Sequence, residues 1–278
     1  MPAIGQYNTL RAIKERDFGL YLDGYELGEI LLPRRYVPQG TEVGDKLEVF
    51  IYLDSEDYLI ATTEKPLATV GQFTCLRVND VNRTGAFLDW GLPKDLLVPF
   101  GEQKKTLKKG ERAIVYIYLD PASDRIAAST KLNKFIDNGP HDYTAGQPVK
   151  LLVGDHTDIG YVAIIDNQYS GVIYDNDAYR PLRYGEQIDG FIKNVRPDGK
   201  INLVLHKPGF GKVEGIAGDI LDRLKEEGGF MAVNDKSSPK LIADLFGTSK
   251  KSFKMAIGTL YKQRLITIEE GGIRLNED

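Results

Sequence analysis

The sequence predicts a multidomain, mainly β protein in which three tandem small barrels precede an α+β winged helix-turn-helix module. Three observations predict it. First, landmarks recur in one register: Gly5-Gln6 returns as Gly71-Gln72 and Gly146-Gln147, at offsets of 66 and 75 residues. Gly19, Gly85 and Gly160 keep these offsets, as do Gly44, Gly110 and Gly185. Tyr52-Leu53-Asp54 returns as Tyr118-Leu119-Asp120, and Ile30-Leu31-Leu32-Pro33 as Leu96-Leu97-Val98-Pro99. A repeat this long exceeds a solenoid unit and suits a small complete domain. Second, each repeat reads as short strands separated by glycine turns. Third, after Pro208-Gly209-Phe210-Gly211 the apolar spacing becomes helical. Domain limits follow at 1–66, 67–140, 141–211 and 212–278.

The late strands of each repeat are the clearest. Val49–Leu53 and Val115–Leu119 are rich in β-branched and aromatic residues, which favour pleated, half-buried surfaces. Each leads through an Asp and turn-prone residues to a second short strand, Leu59-Ile60-Ala61 or Arg125-Ile126-Ala127. The third repeat carries the same hairpin as Gly190–Val195, a turn at Asp198-Gly199, and Lys200–Leu205; Asp-Gly is a strong turn signal. Five short strands in under 70 residues suit a closed barrel of the OB type. The extra residues of the second offset fall between Thr130 and Gly146, where Asn138-Gly139-Pro140 reads as a linker.

Beyond the barrels, Ile216, Ile220, Leu221 and Leu224 form one apolar helix face that stops near Gly228-Gly229. Ser238-Pro239 opens a second helix with Leu241, Ile242 and Leu245 inward and Gly247 closing it. Proline at the first helical turn costs no hydrogen bond. Thr248 or Ser249 caps a third helix with Phe253, Ala256, Ile257, Leu260 and Tyr261 inward. Strands Leu265–Ile268 and Gly272–Leu275 follow, hinged at Glu269-Glu270-Gly271. In such a module the third helix is the usual nucleic-acid reader.

Composition narrows the function. The chain has 278 residues, 42% hydrophobic, enough for several cores, and a net charge of −4 argues against a uniformly cationic binder. A single cysteine, Cys75, excludes an intrachain disulfide and a cysteine-rich zinc site, and fits a reducing cytoplasm. The start, Met1 to Gln6, lacks the basic and apolar regions of a leader, and no apolar run reaches bilayer-spanning length. No membrane association is expected. His141, His156 and His206 lack metal-ligand spacing, and neither a nucleophile elbow nor a phosphate-binding glycine loop occurs. A non-catalytic protein without cofactor is the expectation.

Charge separates the modules. Residues 1–66 hold seven Lys/Arg against twelve Asp/Glu, and residues 67–140 hold eleven against eight. Only the second repeat is cationic, partly through Lys104, Lys105, Lys108 and Lys109. Phosphate attraction scales with local positive charge, so this repeat is the first choice for a binding face. The acidic first repeat reads as a spacer or protein-contact surface. In the last module, Thr248 to Arg264 contains Lys250, Lys251, Lys254, Lys262 and Arg264 with no acid. Lys250, Lys251 and Lys254 are therefore candidate nucleic-acid contacts, although Glu269-Glu270 would repel a phosphate backbone.

The barrel repeats resemble the S1 RNA-binding domain. Gly85-Ala86-Phe87-Leu88 stands where that family has a glycine, a small residue, an exposed aromatic and an aliphatic. Asp124–Ser129 stands where it has a turn, a basic residue and a last strand ending in serine. The resemblance implies RNA contacts at Tyr21 and Phe87; the third repeat has Val162 there, with Tyr161 beside it. The basic position is Leu59, Arg125 and Lys200, and the histidine position of the family is Pro33, Pro99 and Tyr174. An exposed ring stacks on any unpaired base, and a cation beside it meets the phosphate. The same rings can instead serve as core packing.

The whole order of modules is similar to the conserved virulence factor B family of bacteria. Glu29–Pro33 carries the likeness, with Ser238-Pro239-Lys240, Ile242-Ala243 and Phe246–Lys254. The family implies a non-catalytic, RNA-binding regulator acting after transcription; the stacking rings and scattered cations point to single-stranded RNA as the partner. Two other readings stay open: a DNA-binding transcription regulator using the third helix, and a protein-binding adaptor.

Overall fold

The computed structural model describes residues 1–178, 180–205 and 211–276, and side chains within these except those of 211–214. His206 and the change of pattern at Pro208-Gly209-Phe210 lie outside the described residues. The chain divides into two units, residues 1–136 and 137–278. The first holds two barrels. One is built from β1 (Tyr7–Arg16), β2 (Gly19–Asp23), β3 (Glu29–Pro33), β4 (Lys46–Leu53) and β5 (Leu59–Thr62). The other comprises β6 (Phe73–Val81), β7 (Gly85–Asp89), β8 (Leu96–Pro99), β9 (Arg112–Leu119) and β10 (Ile126–Ser129). The second unit opens with a third barrel: β11 (Pro148–Thr157), β12 (Gly160–Ile165), β13 (Tyr169–Tyr174), β14 (Gln187–Val195) and β15 (Ile201–Val204).

All three barrels close in the order first, second, third, fifth, fourth strand, with the third and fifth parallel. The repeat seen in the sequence is thus a repeat of geometry. Gly19, Gly85 and Gly160 face Pro33, Pro99 and Tyr174 across the ladder. A methyl group on any of them would collide with the carbonyl oxygen of Leu32, Val98 or Ile173. The first strand also shifts register at matching places, between Ala12 and Lys14, Val78 and Asp80, and Val153 and His156. Such a bulge bends a strand and sharpens its twist, which helps five strands close. Alternate residues fill each interior; in the first barrel these include Leu10, Leu20, Leu22, Ile30, Leu32, Val49 and Ile51.

The two barrels of the first unit share an apolar boundary. Val49 and Ile51 of β4 point into their own barrel, while Phe50 and Tyr52 point out and are buried in the cluster of the second. Phe50 meets Trp90 edge-on at 5.7 Å. Backbone bonds seal the seam: Val70 N donates to Gly5 O at 3.0 Å, and Gln6 Nε2 to Val70 O at 2.6 Å. At the corresponding positions of β9, Tyr116 and Tyr118 are covered by Phe135, whose ring lies 4.1 and 5.7 Å from theirs. The two arginine and lysine positions expected inside strands, Arg125 and Lys200, sit instead in the turns just before β10 and β15.

The last module contains α1 (Gly211–Glu226), β16 (Phe230–Met231), α2 (Pro239–Phe246), α3 (Lys250–Lys262), β17 (Ile266–Glu269) and β18 (Gly272–Leu275). Ser238 caps α2 by accepting from Leu241 N, and Gly247 ends it with φ of 59°. Of the two cap candidates for α3, Ser249 is the one that accepts, from Ser252 N. Ile216, Ile220, Leu224, Ile242, Phe253, Ala256, Ile257 and Leu260 form the core, as the helical spacing predicts. Two expectations fail. Leu241 is 40% exposed and Tyr261 56% exposed, each at the edge of its apolar stripe rather than in it. Two strand limits also move: the penultimate strand begins at Ile266, and Glu269 belongs to it, bound to Arg274 at 2.8 Å. The sequence did not anticipate β16, which pairs with β18 to make a three-stranded sheet. No helix among the described residues is long and apolar enough to cross a membrane.

Gly19→Ala should therefore destabilise the first barrel by about 1–3 kcal/mol, the usual penalty of overpacking. Urea denaturation checks it: the midpoint should fall with the slope unchanged, whereas an unchanged midpoint would mean that β2 and β3 can move apart freely.

Candidate nucleic-acid interface

The second barrel carries an open cleft. In β7, Ala86 and Leu88 point inward and are buried, so Phe87 between them faces out, half-buried. Phe87 and Arg125 line a single open cleft of about 730 Å³, together with Trp90, Lys94 and Tyr118. Asp57, from the β4–β5 turn of the first barrel, forms part of its wall. Its carboxylate binds the Arg125 guanidinium and lies 3.5 Å from Lys94 Nζ. Lys94 also donates to the Asp54 carbonyl. The cation expected to be free for phosphate is thus held by an acid 68 residues earlier in the chain.

The cleft is not simply basic. Asp80, Asp95 and Asp120 line it too. Each is engaged: Asp80 lies 3.7 Å from Lys109 Nζ, Asp95 accepts from Asn79 at 3.0 Å, and Asp120 from Ser123 at 2.6 Å. The tyrosines on its walls remain protonated at neutral pH. Burial, with Tyr36 beside it, pushes the Tyr52 phenol up to about 12. Burial and the carboxylates of Glu102 and Asp120 raise that of Tyr118. Rings, hydroxyl donors, two cations and several acceptors therefore converge on one concave surface, the combination that holds a ligand in a fixed orientation.

The other predicted residues are dispersed. Lys104, Lys105 and Lys108 are exposed, without a side-chain partner among the described residues, and outside the cleft lining. Their segment is nonetheless pinned: Gln103 Nε2 donates to Val98 O at 3.0 Å, and Lys104 N to Thr130 Oγ1 at 2.7 Å. In the first barrel Tyr21 lies beneath the Lys14 ammonium, 4.7 Å from its ring centre, a favourable cation–π position. In the third, Tyr161 packs partly on the barrel core and against His156, with ring centres 4.4 Å apart. His156 Nε2 lies 2.8 Å from Asp175. Tyr174 is half-buried, and Lys200 is exposed, 3.7 Å from Asp198. On α3, Lys250 is half-buried and donates to Lys236 O at 3.4 Å, Lys254 lies 3.6 Å from Asp235, and Lys251 is exposed and unpaired among the described residues. Among the described residues, no three His, Cys, Asp or Glu side chains gather as a metal site.

Comparison with known proteins fits this geometry. The S1 domain family matches residues 4–64 and 70–131, and the CvfB-like winged helix domain matches 218–275. A Staphylococcus saprophyticus protein, conserved virulence factor B, is 28% identical over 248 residues, covering 85% of this chain and 81% of its own. The chain resembles the conserved virulence factor B family along most of its length. The protein of that name from Staphylococcus aureus strain bovine RF122 / ET3-1 is 29% identical over the same share of each chain. A solved multidomain protein with nucleic acid binding domains, from Streptococcus pneumoniae TIGR4, is 28% identical and covers 98% of both chains, with a TM-score of 0.45.

The matched modules are of nucleic-acid-binding type. Sequence reasoning placed Phe87 and Arg125 together but missed Trp90, Lys94 and Asp57. The lone tryptophan, directly after an S1-type strand, was the available signal for the first. Nothing in the sequence pairs Asp57 with Arg125.

Glu102 anchors the lysine-bearing segment to the end of β10. Burial pushes its carboxyl up, but bonds from Lys134 at 2.7 Å and Ser129 at 2.6 Å, with the charge of Lys131, outweigh burial and hold it below the usual carboxylate range. A depressed folded-state pKa gives stability that is present above the unfolded value and is lost as pH falls through the folded one. Glu102→Gln should lower the melting temperature at pH 7, and its deficit should shrink at acid pH. A deficit independent of pH would show that shape, not charge, is what Glu102 contributes.

Proposed function

We propose that this chain is a non-catalytic regulator that binds single-stranded RNA through its barrels, acting after transcription in the bacterial cytoplasm. The observation that carries the reading is the cleft of the second barrel. An outward Phe87 ring stands there within reach of Arg125 and Lys94. A base inside a duplex cannot bring its face to such a ring, so the cleft suits unpaired nucleotides. Stacking is tolerant of base identity, and the cations around it are scattered rather than ordered in a row. Weak sequence preference follows. Tyr21, Tyr161, Tyr174 and Lys200 supply lesser contacts in the flanking barrels, and Lys104, Lys105, Lys108 and Lys109 supply long-range attraction. Lys250, Lys251 and Lys254 of the winged module meet phosphates, on RNA or on DNA.

The test is a comparison of unstructured RNA, single-stranded DNA and duplex DNA across a salt series. Preference for RNA supports the reading; equal affinity for the duplex, or preference for it, favours a DNA-binding regulator. Absence of salt-dependent binding favours a protein adaptor.

Phe87→Ala should weaken RNA binding about 5- to 150-fold, the equivalent of losing roughly 1–3 kcal/mol of stacking, with the melting temperature near wild type. Asp57→Asn should act oppositely and tighten binding at low salt, because it releases Arg125. An exposed ion pair is worth only about 0–1 kcal/mol, so the fold should tolerate the change. A Phe87→Ala chain that melts early but binds normally would make Phe87 a packing residue.

Replacing Lys250, Lys251 and Lys254 together by Ala should flatten the slope of log affinity against log salt by at most about 2, at about 0.7 per phosphate contact on a single strand. A folded variant with the wild-type slope would remove these lysines from the interface.

A further inference from the structure

The first barrel puts a large exposed ring at a strained backbone position. Tyr25, between β2 and β3, has φ of 53°, in the left-handed region that bulky residues avoid. The second barrel is an internal control. At the offset of 66 residues it has Gly91, with φ of 87°, the residue that adopts this conformation without steric cost. The loop is held alike in both: Tyr25 N donates to Asp23 Oδ1 at 2.9 Å, and Gly91 N to Asp89 Oδ1 at 3.0 Å. Packing of the Tyr25 ring does not offset the strain. The residue is 66% exposed and lies outside the cluster that fills the barrel. Its ring makes no aromatic contact and its hydroxyl no hydrogen bond among the described residues. Tyr25 and Tyr7 instead line one open groove of about 770 Å³, with Pro2, Thr9 and Glu26. Glu48 faces Thr9 across the ladder. Burial, and then the charge of Glu48, push the Tyr7 phenol up. Glu26 and Glu48 are exposed, and neither is bound to a cation among the described residues. Arg11 and Lys46 sit opposite each other two residues beyond Thr9 and Glu48, outside the groove lining.

Two rings and two free carboxylates suit a cation carried on an extended chain. The face of a tyrosine attracts an ammonium or guanidinium through the ring quadrupole, and the carboxylates add Coulomb attraction. A nucleic acid is repelled here, because residues 1–66 hold seven Lys/Arg against twelve Asp/Glu. The second barrel shows what shape of occupant this surface takes. There the chain itself, from Lys65 to Leu67, runs over the Gly91 loop. Leu67 N donates to Trp90 O at 2.8 Å, and a Cβ on Gly91 would lie 3.4 Å from Lys65 O. We propose that the groove of the first barrel docks an extended, arginine- or lysine-bearing segment of a partner protein, with one cation over the Tyr25 ring in the field of Glu26 and Glu48. Tyr25 is then kept at a glycine position for its ring. The proposal is independent of the RNA reading, since this groove shares no lining residue with the cleft of the second barrel.

The test measures binding of fluorescent peptides to the full chain by anisotropy, with melting temperature alongside. One peptide alternates arginine with proline, which keeps it extended; two others carry glutamate or serine in place of arginine. The arginine peptide should bind, more weakly as salt rises, and the glutamate peptide should not. Tyr25→Gly should weaken the arginine peptide about 2- to 5-fold, the loss of an exposed cation–π contact. Its melting temperature should equal or exceed wild type, because glycine accepts the left-handed backbone. Tyr25→Phe keeps the ring and should bind like wild type. Glu26→Lys should weaken binding, whereas Phe87→Ala should leave it unchanged. A chain that is no less stable yet loses the peptide is the result a packing role for Tyr25 cannot give. The proposal is overturned if Tyr25→Gly and Glu26→Lys both bind the arginine peptide like wild type, for the peptide is then held elsewhere. It is equally overturned if the serine peptide binds as tightly as the arginine one, if Tyr25→Gly melts early with affinity unchanged, or if no peptide binds. RNA binding, read separately through Phe87→Ala, stands or falls apart from all of these.

Discussion

The second strand of every barrel can begin only where its first residue has no side chain. At Gly19, Gly85 and Gly160 the backbone of the third strand passes so close that a methyl group would strike a carbonyl oxygen. That approach fixes which residues face out. Counting two along a strand returns to the same face, so Tyr21, Phe87 and Val162 are the outward residues of their barrels by necessity. The bulge that recurs in the first strand then turns the sheet on itself. The outward face of the second barrel depends on this geometry, because a one-residue slip would send Phe87 into the core and Leu88 into water.

The boundary between the first two barrels has two kinds of contact with different weights. Phe50 and Tyr52 bury large rings against the second barrel, and full burial of such a side chain contributes about 1.5–3 kcal/mol. The Asp57 link to Arg125 is partly exposed, so it contributes at most about 1 kcal/mol. The rings hold the pair together; the ion pair can break without separating the barrels. This gives the acidic first repeat a physical role. Its excess of carboxylates reaches, through Asp57, the cleft of its cationic neighbour and neutralises Arg125 there.

Much of the fold was legible because repeated glycines mark repeated close approaches, and because strand and helix periods differ. Contacts between repeats were not. Asp57 and Arg125 belong to different modules, and nothing local in either sequence encodes the other. The outward aromatic pair on β4 could be seen as a strand with both faces apolar, yet not what covered it. Tyr261 shows the limit of the helical period. It follows Leu260 directly and lies four residues after Ile257, on the edge of the stripe, where a tyrosine can turn either way. Leu241 stands beside Ile242 in the same manner on a helix of eight residues. The two-residue β16 carries too little pattern to be read at all.

A protein made of repeats looks as if it could be shortened, shuffled or grafted one module at a time. Phe50 takes that freedom away from the first two barrels. The first barrel alone would hold two large rings out to water, an adhesive patch inviting self-association. The second alone would keep an unfilled hollow beside Trp90. Whatever history produced them as copies, they can now be inherited, transplanted or engineered only as a pair, and new sequence can be spliced in at either end of that pair but not between its members.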